Sequence, residues 1–330
     1  MAYTAIDNPE LYFQVKLYTG DGSTPSITLD GDEDMQPDMV WIKNRDAADS
    51  HCVFDAVRGV TEVLHADTNA LEATDADTLT SFDSDGFAVG ADVKVNTDTE
   101  KYVAWCWKES ATAGFDIVSY EGTGSAHTEA HSLSAKPLVV IATNRERTSN
   151  WLVYHAAMDA TGDYTLFLDS TSAKDNTQNY WGDTEATTSV FSVGDRLENN
   201  YSGEDIIAYC FAEKQGFSKF GSYTGNGNAD GPFIYTGFKP AFVMIKSITV
   251  ASWRIWDNKR EDYAGNPNQT TLNANENNVD YDDASVIMDF LSNGFKIRVT
   301  GDNDAAEVIT YMAFAEAPFV NSNGVPCNAR

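Results

Sequence analysis

Apolar and polar positions alternate over short stretches along most of this chain, and turn residues separate the stretches. Segments rich in β-branched and aromatic residues recur between Gly, Asn, Asp and Ser, a pattern typical of β-strands. Only Thr61–Asp77 is predicted to form a short helix. The pattern predicts an all-β protein, and the clearest strands are Leu138–Ala142, Trp151–Tyr154, Tyr164–Leu168, Val190–Val193, Ile206–Phe211, Phe295–Val299 and Val308–Phe314.

A short phrase, Tyr-x-Gly-x-Gly, occurs three times with a period near 100 residues. It begins at Tyr18, Tyr120 and Tyr223. Its glycines are expected to form turns, because no long helix follows them as a phosphate loop would require. Three further phrases follow each copy in the same order and begin at Pro37, Pro137 and Pro240, at His51, Trp151 and Trp253, and at Ala104, Ala208 and Tyr311. Repetition of four phrases in one order predicts three homologous units.

We name these units module 1 (residues 11–110), module 2 (111–215) and module 3 (216–318), flanked by an N-terminal arm (1–10) and a tail (319–330). About 100 residues with many short strands predict one antiparallel, jelly-roll-like β-sandwich per module. The closing strand, Ala104–Trp107 in module 1, is apolar on both faces and is expected at the centre of a sheet. Because no long linker separates the modules, we expect them to pack closely or share edges. The glutamates that end the closing phrases, Glu109, Glu213 and Glu316, are expected to be architectural.

Composition narrows the classes of partner. Hydrophobic residues make up 42% of the 330 positions, which is enough for a proper core, and 50 acidic residues against 22 basic ones give a net charge of −28. Such a field repels phosphate backbones and anionic lipids, so nucleic acid and membranes are not expected partners. The first residues show no signal-peptide pattern, and we expect synthesis in a host cytoplasm. Four dispersed cysteines (Cys52, Cys106, Cys210, Cys327) indicate neither a disulfide framework nor a zinc site.

No catalytic motif stands out. A nucleophile elbow, a P-loop and a zinc deaminase signature are all missing from the sequence, so a non-enzymatic protein without a cofactor is predicted. His127 and His131 are four residues apart, but they fall where a loop or strand is expected, which disfavours a metal site. Asp-rich stretches at 30–34, 83–85, 280–283 and 302–304 leave calcium binding open. A glycan-hydrolysing carboxylate pair stays open as a minor alternative.

The aromatic residues suggest one contact site. The seven tryptophans fall mostly in strand phrases and are predicted to pack in the core. The exception is Tyr180 and Trp181, which lie in a polar stretch without a counterpart in the other modules. An exposed aromatic pair suits stacking on a sugar ring or on a partner surface, so we predict a binding site there. The insert-like segment Asp262–Asp283 is the second candidate.

The phrases of module 1 resemble a known family. Pro37–Asn44, Phe54–Gly59 and Ser81–Gly90, closed by Tyr102–Trp107, are similar to a β-sandwich repeat domain found in uncharacterised structural proteins of tailed, often marine, bacteriophages. The resemblance is dense over residues 1–110 and thinner in modules 2 and 3, where Phe54–Gly59 has no clear equivalent. It implies a virion component, and it brings no catalytic residues with it.

Within that family, two roles are expected. One is a tail-fibre or tail-associated protein whose loops bind a host glycan or surface protein. The alternative is a decoration or cement protein on the capsid exterior, bound to other virion proteins through its N-terminal arm and module faces. Three like modules suggest a pseudo-threefold arrangement within one chain or a homotrimer of chains.

Overall fold

The computed structural model describes residues 3–260, 266–282 and 284–327. In these ranges the regular structure is almost entirely strand, and the paired strands of the sheets run antiparallel. The predicted all-β, antiparallel fold is therefore confirmed.

Module 1 begins after a single 3-10 turn, Pro9–Leu11, whose N-cap is the side chain of Asn8. Its elements in chain order are β1 (Phe13–Thr19), β2 (Ser26–Thr28), β3 (Met39–Asn44), β4 (Cys52–Asp55), β5 (Glu62–His65), β6 (Ala73–Thr74), β7 (Leu79–Asp83), β8 (Gly86–Val89), the four-residue helix α1 (Val93–Asn96) and β9 (Lys101–Trp107). The larger sheet has the order β1-β9-β3-β4-β5-β6 and the smaller one β2-β8-β7.

Module 2 repeats this order with fewer strands. It contains β10 (Phe115–Glu121), β11 (His127–Ala130), β12 (Val139–Asn144), β13 (Leu152–His155), β14 (Leu166–Phe167), β15 (Val190–Val193), the helix α2 (Leu197–Asn200) and β16 (Asp205–Phe211). Its sheets have the orders β10-β16-β12-β13-β14 and β11-β15.

Module 3 has the full set again. Its strands are β17 (Ser218–Thr224), β18 (Phe233–Tyr235), β19 (Phe238–Ser247), β20 (Arg254–Asp257), β21 (Thr270–Asn273), β22 (Tyr281–Asp282), β23 (Met288–Leu291), β24 (Gly294–Ile297) and β25 (Val308–Pro318). The sheet orders are β17-β25-β19-β20-β21-β22 and β18-β24-β23. In all three segments the last strand lies between the first strand and the strand of the recurring proline phrase.

Each larger sheet is covered on both faces, which explains the apolar character of the closing strands. One face packs against the smaller sheet of its own module and forms a separate core there. The opposite faces of all three larger sheets meet in one shared core. It includes Trp105, Tyr209 and Met312, which occupy equivalent positions of β9, β16 and β25. The predicted central position of the closing strand is confirmed.

The Tyr-x-Gly-x-Gly phrase ties the first strand of a module to its short helix. In module 1, the Tyr18 hydroxyl donates to the carbonyl of Val95 over 2.7 Å. A Cβ on Gly20 would lie 2.1 Å from the carbonyl oxygen of Thr97, so no larger residue fits there. Gly22 has a φ of +65°, which favours glycine. Tyr120 and Tyr223 make the same bond to Asn199 and Asp302, so the phrase has a turn-forming role.

The predicted helix over Thr61–Asp77 is wrong. The segment contains β5 and β6, and its loop residues are engaged by module 2. The backbone amide of Glu72 donates to the carbonyl of Arg145, and the amide of Ser149 donates to the carbonyl of Asn69. Contacts with a distant part of the chain override the weak local preference for helix.

Candidate functional site

Tyr180 and Trp181 are buried, so the predicted exposed aromatic contact site is wrong about their exposure. Their exposed fractions are 5% and 2%. Trp181 packs edge-on against Tyr154, and the Tyr180 hydroxyl donates to Asp175 over 2.8 Å. The smaller sheet of module 2 has two strands in the described residues, whereas modules 1 and 3 have a third, β7 and β23. The two aromatic rings fill core space that this third strand helps to close elsewhere.

The second candidate, Asp262–Asp283, lies partly outside the described residues. Its described portion forms an interface between modules. Asp280 is ion-paired with Arg45 of module 1 at 2.5 Å, and both side chains are mostly buried. The side-chain amide of Asn277 donates to the carbonyl of Ala48. This portion therefore binds a neighbouring module.

The candidate metal ligands do not assemble in the described part of the chain. His127 lies on strand β11 and its Nε2 contacts Glu129 at 2.8 Å, while His131 contacts the backbone carbonyl of Thr187. Among the described residues, no group of three or more His, Cys, Asp or Glu side chains is arranged to hold a metal ion.

A fully buried ion pair lies at the contact between modules 1 and 2. Arg58 Nε and Asp55 Oδ2 are 2.5 Å apart, and neither side chain is exposed. The Tyr209 hydroxyl of module 2 donates to the same carboxylate over 2.7 Å. Arg58 also donates to the carbonyl of Val53 and pairs with Glu72. A buried charge is tolerated because its partners replace the lost water.

Module 3 carries a second copy of this pair, which the sequence comparison missed. Arg260 Nε lies 2.6 Å from Asp257 Oδ2, again with no exposure of either side chain. The indole of Trp105, from module 1, donates to this carboxylate over 3.1 Å. The spacing Asp-x-x-Arg is shared by both modules and would have revealed the copy. The repeat is hard to see in the sequence because the two intervening residues differ in type: Ala56 and Val57 in module 1, Asn258 and Lys259 in module 3.

Module 2 has a neutral version of the same contact. His155 stands where the other modules have aspartate, and Met158 stands where they have arginine. His155 Nδ1 accepts from the amide of Ala157, and its Nε2 donates to the carbonyl of Tyr311 in module 3 over 3.1 Å. Burial lowers the pKa of His155 to about 4, so the imidazole is neutral. The residue of β25 equivalent to Tyr209 and Trp105 is Met312, whose side chain has no polar hydrogen to donate.

The three contacts between modules close a ring. In each contact, a backbone amide of one module donates to a backbone carbonyl of another. The amide lies in the segment after β5, β14 or β21, and the carbonyl belongs to the residue just after β12, β19 or β3. Module 1 meets module 2, module 2 meets module 3, and module 3 meets module 1. The bonds run from Glu72 N to Arg145 O (2.8 Å), from Lys174 N to Ile248 O (2.9 Å) and from Asp280 N to Arg45 O (3.2 Å).

Indole groups donate in the opposite direction at two of these contacts, from the later module to the earlier one. Trp151 Nε1 donates to the carbonyl of His65, and Trp253 Nε1 donates to the carbonyl of Phe167. The third equivalent residue is His51, which lies beside the backbone of Asn273. Burial holds the pKa of His51 well below its ordinary value, so this ring is neutral as well. Each of the three segments therefore contacts both others around the shared core.

Aromatic rings fill the centre of this assembly near the ends of the closing strands. Phe314 of module 3 contacts Trp107 of module 1 and Phe211 of module 2, with ring centroids 5.7 and 5.9 Å apart. Phe13 stacks on Phe314 at 5.1 Å. The modules therefore share apolar contacts as well as polar ones, and separating them would expose this cluster to water.

The repeated glutamates lie at the three seams between successive modules. Glu109 approaches Asp116 of module 2; burial, then this carboxyl neighbour, raise the pKa of Glu109 to about 7. Glu213 forms an ion pair with Lys219 of module 3 at 2.6 Å. Glu316 pairs with Lys239 of its own module and faces the first strand of module 1.

A cleft opens at the seam between modules 3 and 1. Its volume is about 330 Å³, and its walls include residues of β1, β19 and β25. Polar side chains line it from three parts of the chain: Glu10 of the N-terminal arm, Gln14 of module 1, and Lys239, Asn258 and Glu316 of module 3. This seam differs from the other two because no turn of the chain connects its modules directly.

No helix in the described part of the chain is long and apolar enough to cross a bilayer.

Comparison with known proteins gives one match. A family model described as "Domain of unknown function (DUF7483)" matches residues 8–318, a span that includes all three modules. No curated protein and no solved structure matches the chain. Because the match covers far more than half of the sequence, the chain belongs to the DUF7483 domain family.

Proposed function

We propose that this chain is a non-enzymatic structural protein on the surface of a tailed-phage particle. In this proposal it is a tail-fibre or tail-associated protein and contributes to host attachment. The resemblance of residues 1–110 to phage structural proteins supports the virion assignment. The net charge of −28 supports a solvent-facing position, since an acidic protein is repelled by packaged DNA.

The observation that carries the proposal is the closed ring of module contacts over one shared core. Ion pairs, indole hydrogen bonds and aromatic packing join every module to both others. Such a body holds its surface loops in fixed relative positions, which is what a binding scaffold requires. A chain of flexibly linked modules would lose that order.

Capsid decoration is the second candidate, and the ring itself favours it. Three like modules around a common centre present similar surfaces in three directions. A body of this kind matches a site of local threefold symmetry on a capsid lattice.

Immunogold labelling of intact particles with antibody to this chain tests both candidates. Gold on the tail is the expected result and leads to adsorption assays. Gold over the head overturns the tail assignment in favour of decoration. Particles that carry no gold, and whose proteins contain no peptide of this chain by mass spectrometry, overturn the virion assignment. Preimmune serum on the same grid is the control.

A further inference from the structure

We infer that the cleft between modules 3 and 1 binds a neutral saccharide unit. This deepens the proposed function, and it rests on that function for its biological meaning, since a host glycan would be the natural source of the sugar. The binding chemistry itself follows from the residues around the cleft.

The cleft is shaped for a small ligand. Its volume of about 330 Å³ lies at the lower end of the range for small-molecule sites, roughly 300–1,000 Å³. Phe13 and Phe290 contribute apolar side chains to the lining, and both residues are almost fully buried. A pocket with an apolar floor and polar groups at its walls suits a molecule with both CH and OH surfaces, as a pyranose ring has.

The polar groups are held in place before any ligand arrives. Lys239 Nζ lies 2.7 Å from Glu316 Oε1, and Asn258 Nδ2 donates to Glu316 Oε2 over 2.8 Å. Across the cleft, the Glu10 carboxylate accepts a hydrogen bond from the backbone amide of Asp32, with 3.1 Å between Oε2 and N. The groups that recognise a ligand are therefore oriented by contacts within the protein, which limits the entropy lost on binding.

The accessible polar groups on the cleft wall can both donate and accept. Lys239 can donate further hydrogen bonds beyond its pair with Glu316, and Glu316 can accept more than it receives. Asn258 holds the Glu316 carboxylate in position by donating to its Oε2, while its own Oδ1 is closed off from solvent and has no partner among the described residues. Hydroxyl groups both donate and accept, so a polyol can bond to Lys239 and Glu316 together.

The charges around the cleft balance, which distinguishes it from the rest of this acidic chain. Glu10, Asp30 and Glu316 line it together with Lys239 and Lys259. Lys239 is paired with Glu316 at 2.7 Å and Lys16 with Asp30 at 2.5 Å, so three ammonium groups accompany the three carboxylates. Neither an anion nor a cation gains from such an environment, so a neutral ligand is preferred.

The other modules supply variants that the fold already accommodates. Modules 1 and 2 carry alanine, Ala56 and Ala156, at the position of Asn258, and module 1 carries Gln36 at the position of Lys239. Asn258→Ala and Lys239→Gln are therefore the test variants. Lys136→Gln is the matched control, because Lys136 occupies the same position in module 2 but pairs with Glu185 at the surface.

The test measures the binding of neutral sugars to the full chain by saturation-transfer NMR and by calorimetric titration. The sugars are glucose, galactose, mannose, N-acetylglucosamine and lactose. Glucuronic acid and glucosamine are the charged comparisons. At least one neutral sugar is expected to bind with a dissociation constant of about 1–10 mM, as befits so small a ligand. Asn258→Ala and Lys239→Gln should each weaken it about tenfold, while Lys136→Gln leaves it unchanged.

Three outcomes overturn the inference: no neutral sugar binds at about 50 mM, a charged sugar binds more tightly than its neutral counterpart, or the cleft variants bind as the control does. Failure here is distinguishable from failure of the proposed function. Gold-labelled particles without sugar binding would remove the saccharide site alone. Sugar binding without labelled particles would remove the virion role alone.

Discussion

The buried contact around Asp55 and the one around His155 occupy equivalent positions in two modules, yet they use different chemistry. Around Asp55, a charged carboxylate is satisfied by Arg58 and by the Tyr209 hydroxyl. Around His155, a neutral imidazole donates to a backbone carbonyl, and methionine replaces arginine. Donor, acceptor and charge have changed together. The comparison teaches that this position requires a polar side chain that is hydrogen-bonded to another module and does not require an ion pair.

Breaking the charged version should have the largest effect. Arg58→Met leaves the Asp55 carboxylate buried with only the tyrosine as a side-chain partner, and we expect the free energy of unfolding to fall by about 3–5 kcal/mol. Denaturant titration measures it. The triple variant Asp55→His, Arg58→Met, Tyr209→Met copies His155 and Met158 of module 2 and Met312 of module 3, and it should recover most of the loss. Equal destabilisation of the single and triple variants would contradict the comparison.

Acid should selectively weaken the neutral version. The folded pKa of His155 is about 4 and its ordinary value is 6.5, so its contribution to stability is complete above pH 6.5 and is lost as the pH falls towards 4. The expected loss is about 3 kcal/mol. His155→Gln keeps a donor for the Tyr311 carbonyl without a titrating group. Unfolding measured from pH 7 to pH 4 should show a smaller decline for this variant, and parallel declines would refute the assignment.

The Glu109 seam should respond to pH in the opposite direction. The pKa of Glu109 is raised from 4.5 to about 7 in the folded protein, so its contribution to stability is complete below pH 4.5 and disappears as the pH rises through 7. At a pH above 7, Glu109→Gln should therefore raise the midpoint temperature of unfolding. At pH 4 it should leave that temperature unchanged. Thermal scans at both pH values check this. A pH-independent difference would show that the substitution acts through packing instead.

An exposed ion pair should contribute least. Arg147 pairs with Glu204 at 2.6 Å, but both side chains are partly open to water. Arg147→Ala should cost about 0–1 kcal/mol, because solvent screens such pairs. A cost comparable to that of Arg58→Met would mean that burial is not what separates the two kinds of contact. The same denaturant titration gives both values.

Strand positions were predictable because alternation and turn residues are local signals. Val190–Val193 matches β15 to the residue, and the closing strands lie where the repeat placed them. The contact site was not predictable in the same way. Trp181 lies among polar neighbours in the sequence, and its burial depends on the two-stranded smaller sheet of its module.

The cleft and the ring depend on contacts between residues far apart in the chain. Trp105 and Asp257 are separated by 152 positions, and neither is unusual in its local context. The Asp-x-x-Arg spacing was the one sequence signal for the buried contacts, and it needed comparison of two modules to become visible. Asn258 and Glu10 approach the same cleft only because the two ends of the repeat array meet there.

The shared core has a consequence for synthesis on the ribosome. Module 1 can form its own sandwich once Trp107 has emerged, but the face of its larger sheet that enters the shared core is not fully covered until Phe314 arrives, 207 residues later. At roughly 5–20 residues per second, part of that face stays exposed to solvent for on the order of 10–40 s. During this interval the nascent chain presents Trp41, Trp105 and Phe13 to any neighbour. Production of this protein should therefore depend on chaperone capacity more than that of a chain whose modules close independently.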